Sequence, residues 1–321
     1  MLPVVMPPRH ITVDAATPLR PDSAARVAPT VTEGAGFLGR DDEQTLSRLC
    51  NAPIERIERN RGGSTVSFRV WFAGGERGLF KPQQRSEVAN YRAELAAYRM
   101  SRLLGLGRTP PACGRQVPRA MLQRVADASG DAAFSQRVMT ELLGRGEQVP
   151  GAMLYWVPGQ LEPVPDVARY PQLLGDGALA PGDAALAADL SALLIFDYLN
   201  DNVDRWSGGN ILRPRRTGDT PTPMLFMDNG ASFSALHEGL GARPEEQAAR
   251  IARVSHFPRA LIARVRALTL DGLRAAMGAD PLGACLSDAQ LGAVLLRRDR
   301  LIARVDAAIA AQSAEAVLSF P

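Results

Sequence analysis

The alternation of hydrophobic and polar positions predicts three short β-strands in the first half of the chain, at residues 54–59, 65–72 and 77–81. Glycine-containing turns at 60–63 and 74–75 separate them, which favours an antiparallel meander. In the second strand the apolar residues share one face: Val66, Phe68, Val70 and Phe72. One buried face and one free face are therefore expected.

A helical period follows the third strand over residues 86–106, and the most apolar helix of the chain begins at Asp183 and ends near Asp201. The remaining predicted elements are a short helix at 42–50, a strand at 152–157, a loop-rich connection at 160–182, a hairpin from 211–213 and 224–227, and helices within 244–316. The sum is a small β-rich lobe with one helix, followed by a larger, mainly helical lobe.

We place the domain boundaries on these patterns. Residues 1–42 are rich in Pro, Ala, Thr and Gly and predict a disordered arm. The first lobe then covers 43–157 and the second 158–321.

Composition excludes several classes of protein. The chain is 46% hydrophobic and 22% charged, with 37 basic and 34 acidic residues, which is globular and argues against a nucleic-acid partner. No signal peptide or membrane span is evident, and the three cysteines show neither a zinc spacing nor a disulfide framework. We therefore expect a cytoplasmic protein in a reducing compartment.

One lysine, Lys81, stands among the 37 basic residues, at the end of the third predicted strand. Arginine is a planar fork and lysine a compact ammonium, so a narrow phosphate site that needs one ammonium would not accept the exchange. The alternative is that this single lysine was retained by chance and has no role at a phosphate site.

Three common motifs do not fit. Gly34, Gly36 and Gly39 match GxGxxG, but Pro29 and Thr30 stand where a buried strand should precede it, and an antiparallel meander follows. Pro82 after the lysine excludes a Walker A loop, and GxSxG is absent.

Two other regions carry candidate chemistry. The turn before the second strand contains Gly62, Gly63 and Ser64, whose backbone N–H groups could hold phosphate oxygens. In the helix after the third strand, Glu94 could pair with the Lys81 ammonium, and Glu87 is the other candidate for that pairing. The run from Asp197 to Asn210 concentrates carboxylates and amides after the most apolar helix, and a hydrophobic strand ends at Asp228-Asn-Gly. Hard oxygen ligands facing a lysine suit a divalent metal with phosphate, although Asn-Gly alone also marks a hairpin turn.

Four blocks together resemble the secretory-pathway kinases of the Golgi casein kinase and four-jointed type: GGSTVSFRVWFAGGERGLFKP, YRAELAAYRMSRLLGLGRTPPACGR, FDYLNDNVDRWSGGNIL and MLFMDNGASFS. That group is related to the phosphatidylinositol and HipA-like kinases. The resemblance runs from about Gly62 to Val305 and implies an α+β, bilobal protein-kinase-like fold. We expect a bacterial-type member.

The resemblance also implies roles. Lys81 would contact the nucleotide phosphates and Glu94 would hold it, while Asp204 would act on the acceptor hydroxyl and Asp228 would bind the metal. ATP would lie between the lobes, near a hinge that includes Tyr155, Trp156 and Val157. The cofactors implied are ATP with Mg²⁺ or Mn²⁺.

This sequence departs from the family at two positions. The second metal ligand is expected where Gly209 stands, so Asn210 takes that role one residue later. Ala89 replaces a metal-binding glutamate, with Glu87 nearby. Secretory relatives also carry several disulfides, which we expect this chain not to form.

The function expected from these features is transfer of the γ-phosphate of ATP to a hydroxyl acceptor, which could be protein Ser/Thr, a sugar, a lipid or another small molecule. The alternative is an inactive nucleotide-binding scaffold, motivated by Gly209 and Ala89. The sequence does not separate the acceptors, because acceptor choice depends on loop shape.

Overall fold

The computed structural model describes residues 36–144, 146–175, 180–215, 222–233 and 244–320. The predicted arm therefore lies outside the described residues up to position 35, but its last residues are ordered. Phe37 is buried against Val157 and Leu225, and its N–H donates to Asp42 Oδ1 at 2.8 Å. Phe37, which falls within the predicted arm, is therefore part of a packed cluster.

The first lobe is built on a five-stranded antiparallel sheet in the order β1-β2-β3-β5-β4. Its strands are β1 (Ile54–Arg59), β2 (Phe68–Phe72), β3 (Arg77–Pro82), β4 (Ala112–Pro118) and β5 (Gln148–Tyr155). The predicted meander forms the first three strands. In β2, Phe68, Val70 and Phe72 are fully buried, as their alternation predicts, because side chains two residues apart point to the same face.

Four helices accompany this sheet: α1 (Asp42–Asn51), α2 (Tyr91–Leu103), α3 (Arg119–Ala128) and α4 (Ala132–Glu141). Asn90 caps α2 by accepting a hydrogen bond from the Arg92 N–H. Strand β4 and helices α3 and α4 were not predicted. Helices α3 and α4 form an insertion between β4 and β5, and the ring of Phe134 in α4 packs against that of Phe68 with 5.9 Å between centroids.

A disulfide joins Cys50 of α1 to Cys113 of β4, across 63 positions in sequence, with Cys285 left as a free, buried thiol. The prediction that this chain forms no disulfide was wrong, because two cysteines with no motif spacing meet where α1 packs on the sheet. Disulfides persist in oxidising compartments, so the inference of a reducing compartment loses its basis.

The second lobe is mainly helical: α5 (Tyr170–Leu174), α6 (Ala184–Asn200), α7 (Pro244–Ile251), α8 (Arg259–Arg266), α9 (Leu270–Gly278), α10 (Asp288–Ala311) and α11 (Ala314–Val317). A small antiparallel sheet lies beside it, in the order β6 (Leu161–Pro163), β7 (Ile211–Pro214), β8 (Leu225–Phe226). The predicted hairpin is β7 and β8, whereas β6 was not predicted. Helix α6 is buried over most of its length, as its apolar composition indicates. No helix among the described residues has the length and apolarity needed to cross a membrane.

Candidate active site

The site centres on Lys81, which lies on the opposite face of β3 from the buried Phe80. Its ammonium donates to Glu94 Oε1 at 2.5 Å and to Asp228 Oδ1 at 2.6 Å. These three residues come from β3, from α2 and from the segment after β8, so the ammonium joins the two lobes. The structure brings together the three groups that the sequence analysis had placed on separate elements.

Glu94 is the carboxylate that the first lobe turns toward the lysine. Its side chain is 1% exposed, and its second oxygen accepts the backbone N–H of Asn229 at 3.1 Å. Glu87 is exposed, in a single helical turn before α2. Of the two glutamates, Glu94 is therefore the one that pairs with Lys81.

The charges of this cluster support one another. Burial alone would lower the pKa of the Lys81 ammonium, but the carboxylates of Glu94 and Asp228 outweigh it and hold that pKa above its usual value. The same ammonium holds the pKa of Asp228 below its usual range, against the opposing effect of burial. Lysine and aspartate therefore both remain charged across the neutral range.

Asp228 is held in a left-handed backbone conformation, with φ at 55°. Aspartate tolerates this region better than most residues, and such conformations cluster at functional sites. The turn that follows needs a glycine, because a Cβ on Gly230 would lie 2.6 Å from the carbonyl oxygen of Val88. The carbonyl of Gly230 accepts the N–H of Asn90 at 3.1 Å, so this turn packs directly under the start of α2.

Asp204 lies in the loop after α6 and is partly exposed. Its backbone N–H is held by Asn202 Oδ1 at 3.1 Å. The amide nitrogen of Asn210 donates to the Asp204 backbone carbonyl at 3.1 Å and to its Oδ2 at 3.3 Å. The extra glycine at 209 is absorbed in a left-handed conformation, so Asn210 still returns to the carboxylate.

A buried network that the sequence analysis missed lies beneath these residues. Arg205 and Asp197 are both fully buried and form an ion pair at 3.1 Å. Arg205 also donates to Asn229 Oδ1 at 2.6 Å and to the carbonyl oxygens of Met227 and Asn210. Asp197 interrupts the apolar run from Leu193 to Leu199, and that interruption was the available signal, since a buried carboxylate needs a partner.

The glycine turn and the residues expected at a hinge lie elsewhere on the first lobe. Gly62, Gly63 and Ser64 are exposed at the tip of the loop between β1 and β2, with Gly63 at φ 85°. Trp156, half-buried, follows β5 and has the guanidinium carbon of Arg69 at 5.0 Å from its ring centroid. Val157 packs with Phe37 and Leu225, in a small cluster that contains residues of both lobes.

Few side chains at this site could serve as metal ligands. Among the described residues, no group of three or more His, Cys, Asp or Glu side chains is placed to hold a cation. The sequence analysis expects the metal on Asp228 and Asn210, and Ala89, buried beside the Gly230 turn, offers no further oxygen. Two protein oxygens suit a cation that completes its coordination with phosphate and water.

The fold is kinase-like, as comparison with solved structures shows. The chain matches the Golgi casein kinase with a TM-score of 0.69 at 16% identity, over 88% of this chain and 80% of that one. It matches the Golgi casein kinase with Mn/ADP bound at a TM-score of 0.70, with the same identity and coverage. It matches hydra Fam20 with sugar at a TM-score of 0.67 and 17% identity, over 91% and 96% of the two chains.

The predicted fold class is confirmed, and the resemblance to the Golgi casein kinase type is confirmed at the level of the fold. The sequence matches no protein-family model and no curated protein.

Proposed function

We propose that this protein is an ATP-dependent kinase that transfers the γ-phosphate to a hydroxyl acceptor. The observation that carries the proposal is the position of the Lys81 ammonium, within 2.6 Å of carboxylates from both lobes in a kinase-like fold. A likeness of fold alone would not require a charged group at that junction. Mn and ADP are bound in one structure of this fold, which supports a nucleotide and a metal here.

Lys81 would bind phosphate oxygens of the nucleotide. Glu94 is buried and fixed by the Asn229 N–H, so it already holds the Lys81 ammonium in place. No further conformational entropy of that side chain is lost when the nucleotide binds. Gly62, Gly63 and Ser64 are exposed at the loop tip, and their backbone N–H groups would bind phosphate oxygens. These groups position the γ-phosphoryl and stabilise negative charge on its oxygens.

Asp204 would act on the acceptor. Its carboxylate accepts the proton of the acceptor hydroxyl while that oxygen forms a bond to the γ-phosphorus and the bond from that phosphorus to the β–γ bridging oxygen breaks. ADP leaves with the electron pair of the broken bond. Asn202 and Asn210 hold Asp204 through its backbone N–H and its carboxylate, which orients it for this step.

Asp228 and Asn210 would hold a divalent cation. Asp228 has half of its side chain exposed, and an amide that donates through its nitrogen to Asp204 keeps its oxygen for a cation. When bound, Mg²⁺ or Mn²⁺ would neutralise charge on the nucleotide phosphates.

The experiment is transfer from γ-labelled ATP, with Mg²⁺ or Mn²⁺, by the wild type and by Asp204→Asn. We expect label in the protein or in free phosphate from the wild type, reduced by about 100-fold or more in the variant, because the general base is lost. Asp299→Asn, an exposed carboxylate on α10, is the matched control and should leave transfer unchanged. Transfer that is equal in wild type and Asp204→Asn would overturn the proposal.

A second candidate, a nucleotide-binding protein without transfer, is favoured by Ala89 in place of a carboxylate. It would show thermal stabilisation by Mg·ADP together with no transfer by the wild type. Ala89→Glu is the informative variant, since a gain of transfer would identify the missing ligand as the defect.

A further inference from the structure

The loop that carries Gly62 and Gly63 is open at its tip and anchored at its base. A Cβ added to either glycine would meet no atom within 4 Å, so the tip has no packing partner. Val66, three residues further on, is fully buried. A buried backbone at that point needs hydrogen-bond partners.

The neighbouring strand β3 does not supply hydrogen-bond partners for the Val66 backbone. The ladder between β2 and β3 pairs Phe68 with Phe80, so its continuation would bring Val66 opposite Pro82. Proline has no N–H to donate, and β3 ends there. The backbone of Val66 is therefore left without a strand partner.

Gln84 supplies the missing pairing with its side chain. Gln84 Oε1 accepts the Val66 N–H at 2.9 Å, and Gln84 Nε2 donates to the Val66 carbonyl at 2.9 Å. The same nitrogen donates to the Pro82 carbonyl at 3.3 Å. A primary amide places an N–H donor beside a carbonyl acceptor, as a backbone peptide does, and carries a second N–H as well. The Gln84 side chain therefore replaces the strand residue that would otherwise pair with Val66.

The insertion between β4 and β5 adds a second anchor. Arg137 of α4 donates to the carbonyl oxygen of Ser64 at 2.5 Å, close to the loop tip. The backbone of Gln84 also forms an isolated bridge with Leu142 at the end of α4. The loop is thus fixed from the insertion side, while its glycine tip stays free.

We propose that Gln84 is a positioning residue, which fixes the glycine loop in its nucleotide-binding shape and so raises nucleotide affinity without touching the nucleotide. The proposal rests on the nucleotide binding proposed above. A loop already held in place loses less conformational entropy when it closes on phosphate. Affinity for the nucleotide should then depend on Gln84, whereas the rate of transfer from bound nucleotide should not.

The test compares Gln84→Met, which keeps the side-chain length but removes both hydrogen bonds to Val66, with Gln83→Met, its half-buried neighbour. Hydrogen exchange of the Val66 amide is measured in the free protein, and Mg·ADP affinity and the KM and kcat for ATP are measured in parallel. For Gln84→Met we expect Val66 exchange to accelerate and the Kd and KM to rise about five- to tenfold, as the loss of one to two hydrogen bonds implies. The kcat should change less than twofold, and Gln83→Met should resemble the wild type.

Arg137→Met is the second variant, because Arg137 is partly exposed and its replacement leaves the core of the lobe intact. It should raise the Kd for Mg·ADP in the same direction. Unchanged Val66 exchange in Gln84→Met, or an unchanged Kd in both variants, would overturn the proposal. A wild type that binds Mg·ADP but transfers nothing would refute only the kinase, since exchange and binding still report on Gln84. A wild type that binds no nucleotide would overturn both.

Discussion

The guanidinium of Arg205 donates a 2.6 Å hydrogen bond to the side-chain oxygen of Asn229. Arg205 follows the proposed base Asp204, and Asn229 follows the proposed metal ligand Asp228. The two halves of the candidate site are therefore tied together one residue away from the groups that would do the chemistry. The tie is buried, so it fixes the separation of those groups in a way that exposed loops could not.

We expect Arg205→Met to lower the free energy of unfolding by about 3–5 kcal/mol, because it leaves the carboxylate of Asp197 buried without its partner. Denaturant titration measures this loss. The double variant Asp197→Leu/Arg205→Met removes both charges and should recover part of the stability. If the double variant is less stable than the single one, the pair is not the source of the effect.

Lys81→Arg should lower kcat/KM for ATP by about 100-fold or more, since a guanidinium does not fit between Glu94 and Asp228 as a compact ammonium does. Steady-state kinetics over a range of ATP concentrations provide the measurement. Arg48→Lys, on the surface of α1, exchanges the same two side chains away from the site and should behave as wild type. Full activity of Lys81→Arg would contradict the inference that the site requires an ammonium rather than a guanidinium.

The ion pair of Lys81 and Asp228 predicts a dependence of stability on pH. The folded-state pKa of Asp228 is depressed, so its contribution is present above its unfolded pKa, about 3.9, and is lost as the pH falls through the folded value. Melting temperatures of wild type and Asp228→Asn should therefore diverge in favour of the wild type as the pH rises from 3 to 6. Parallel curves over that range would contradict the assignment.

The disulfide between Cys50 and Cys113 predicts how many thiols react in the denatured protein before and after reduction. Protein produced in an oxidising compartment and denatured without reductant should expose one reactive thiol, that of Cys285, and three after reduction. Cys50→Ala/Cys113→Ala should lower the free energy of unfolding by about 4 kcal/mol, from the entropy that a closed loop of 63 residues removes from the unfolded chain. Three thiols before reduction would exclude the bond.

The sequence by itself determined the elements whose signal is local. Period-two alternation located β2, a helical stripe located α2, and the single lysine marked the residue at which the site is centred. The same local signals failed for β4, where Gly114, Arg115 and Gln116 interrupt the alternation, so no apolar face is visible. Such patterns report burial against a neighbour without identifying that neighbour.

Only the tertiary structure decided which groups meet. Lys81 and Asp228 are 147 positions apart, and their contact depends on how the two lobes pack. The same holds for Glu94 against Glu87, for the pairing of Cys50 with Cys113 and for Gln84 against Val66, each of which joins different elements. A residue's chemistry is a property of the sequence, but its partner is fixed by chain topology, because long-range contacts form only when several elements pack at once.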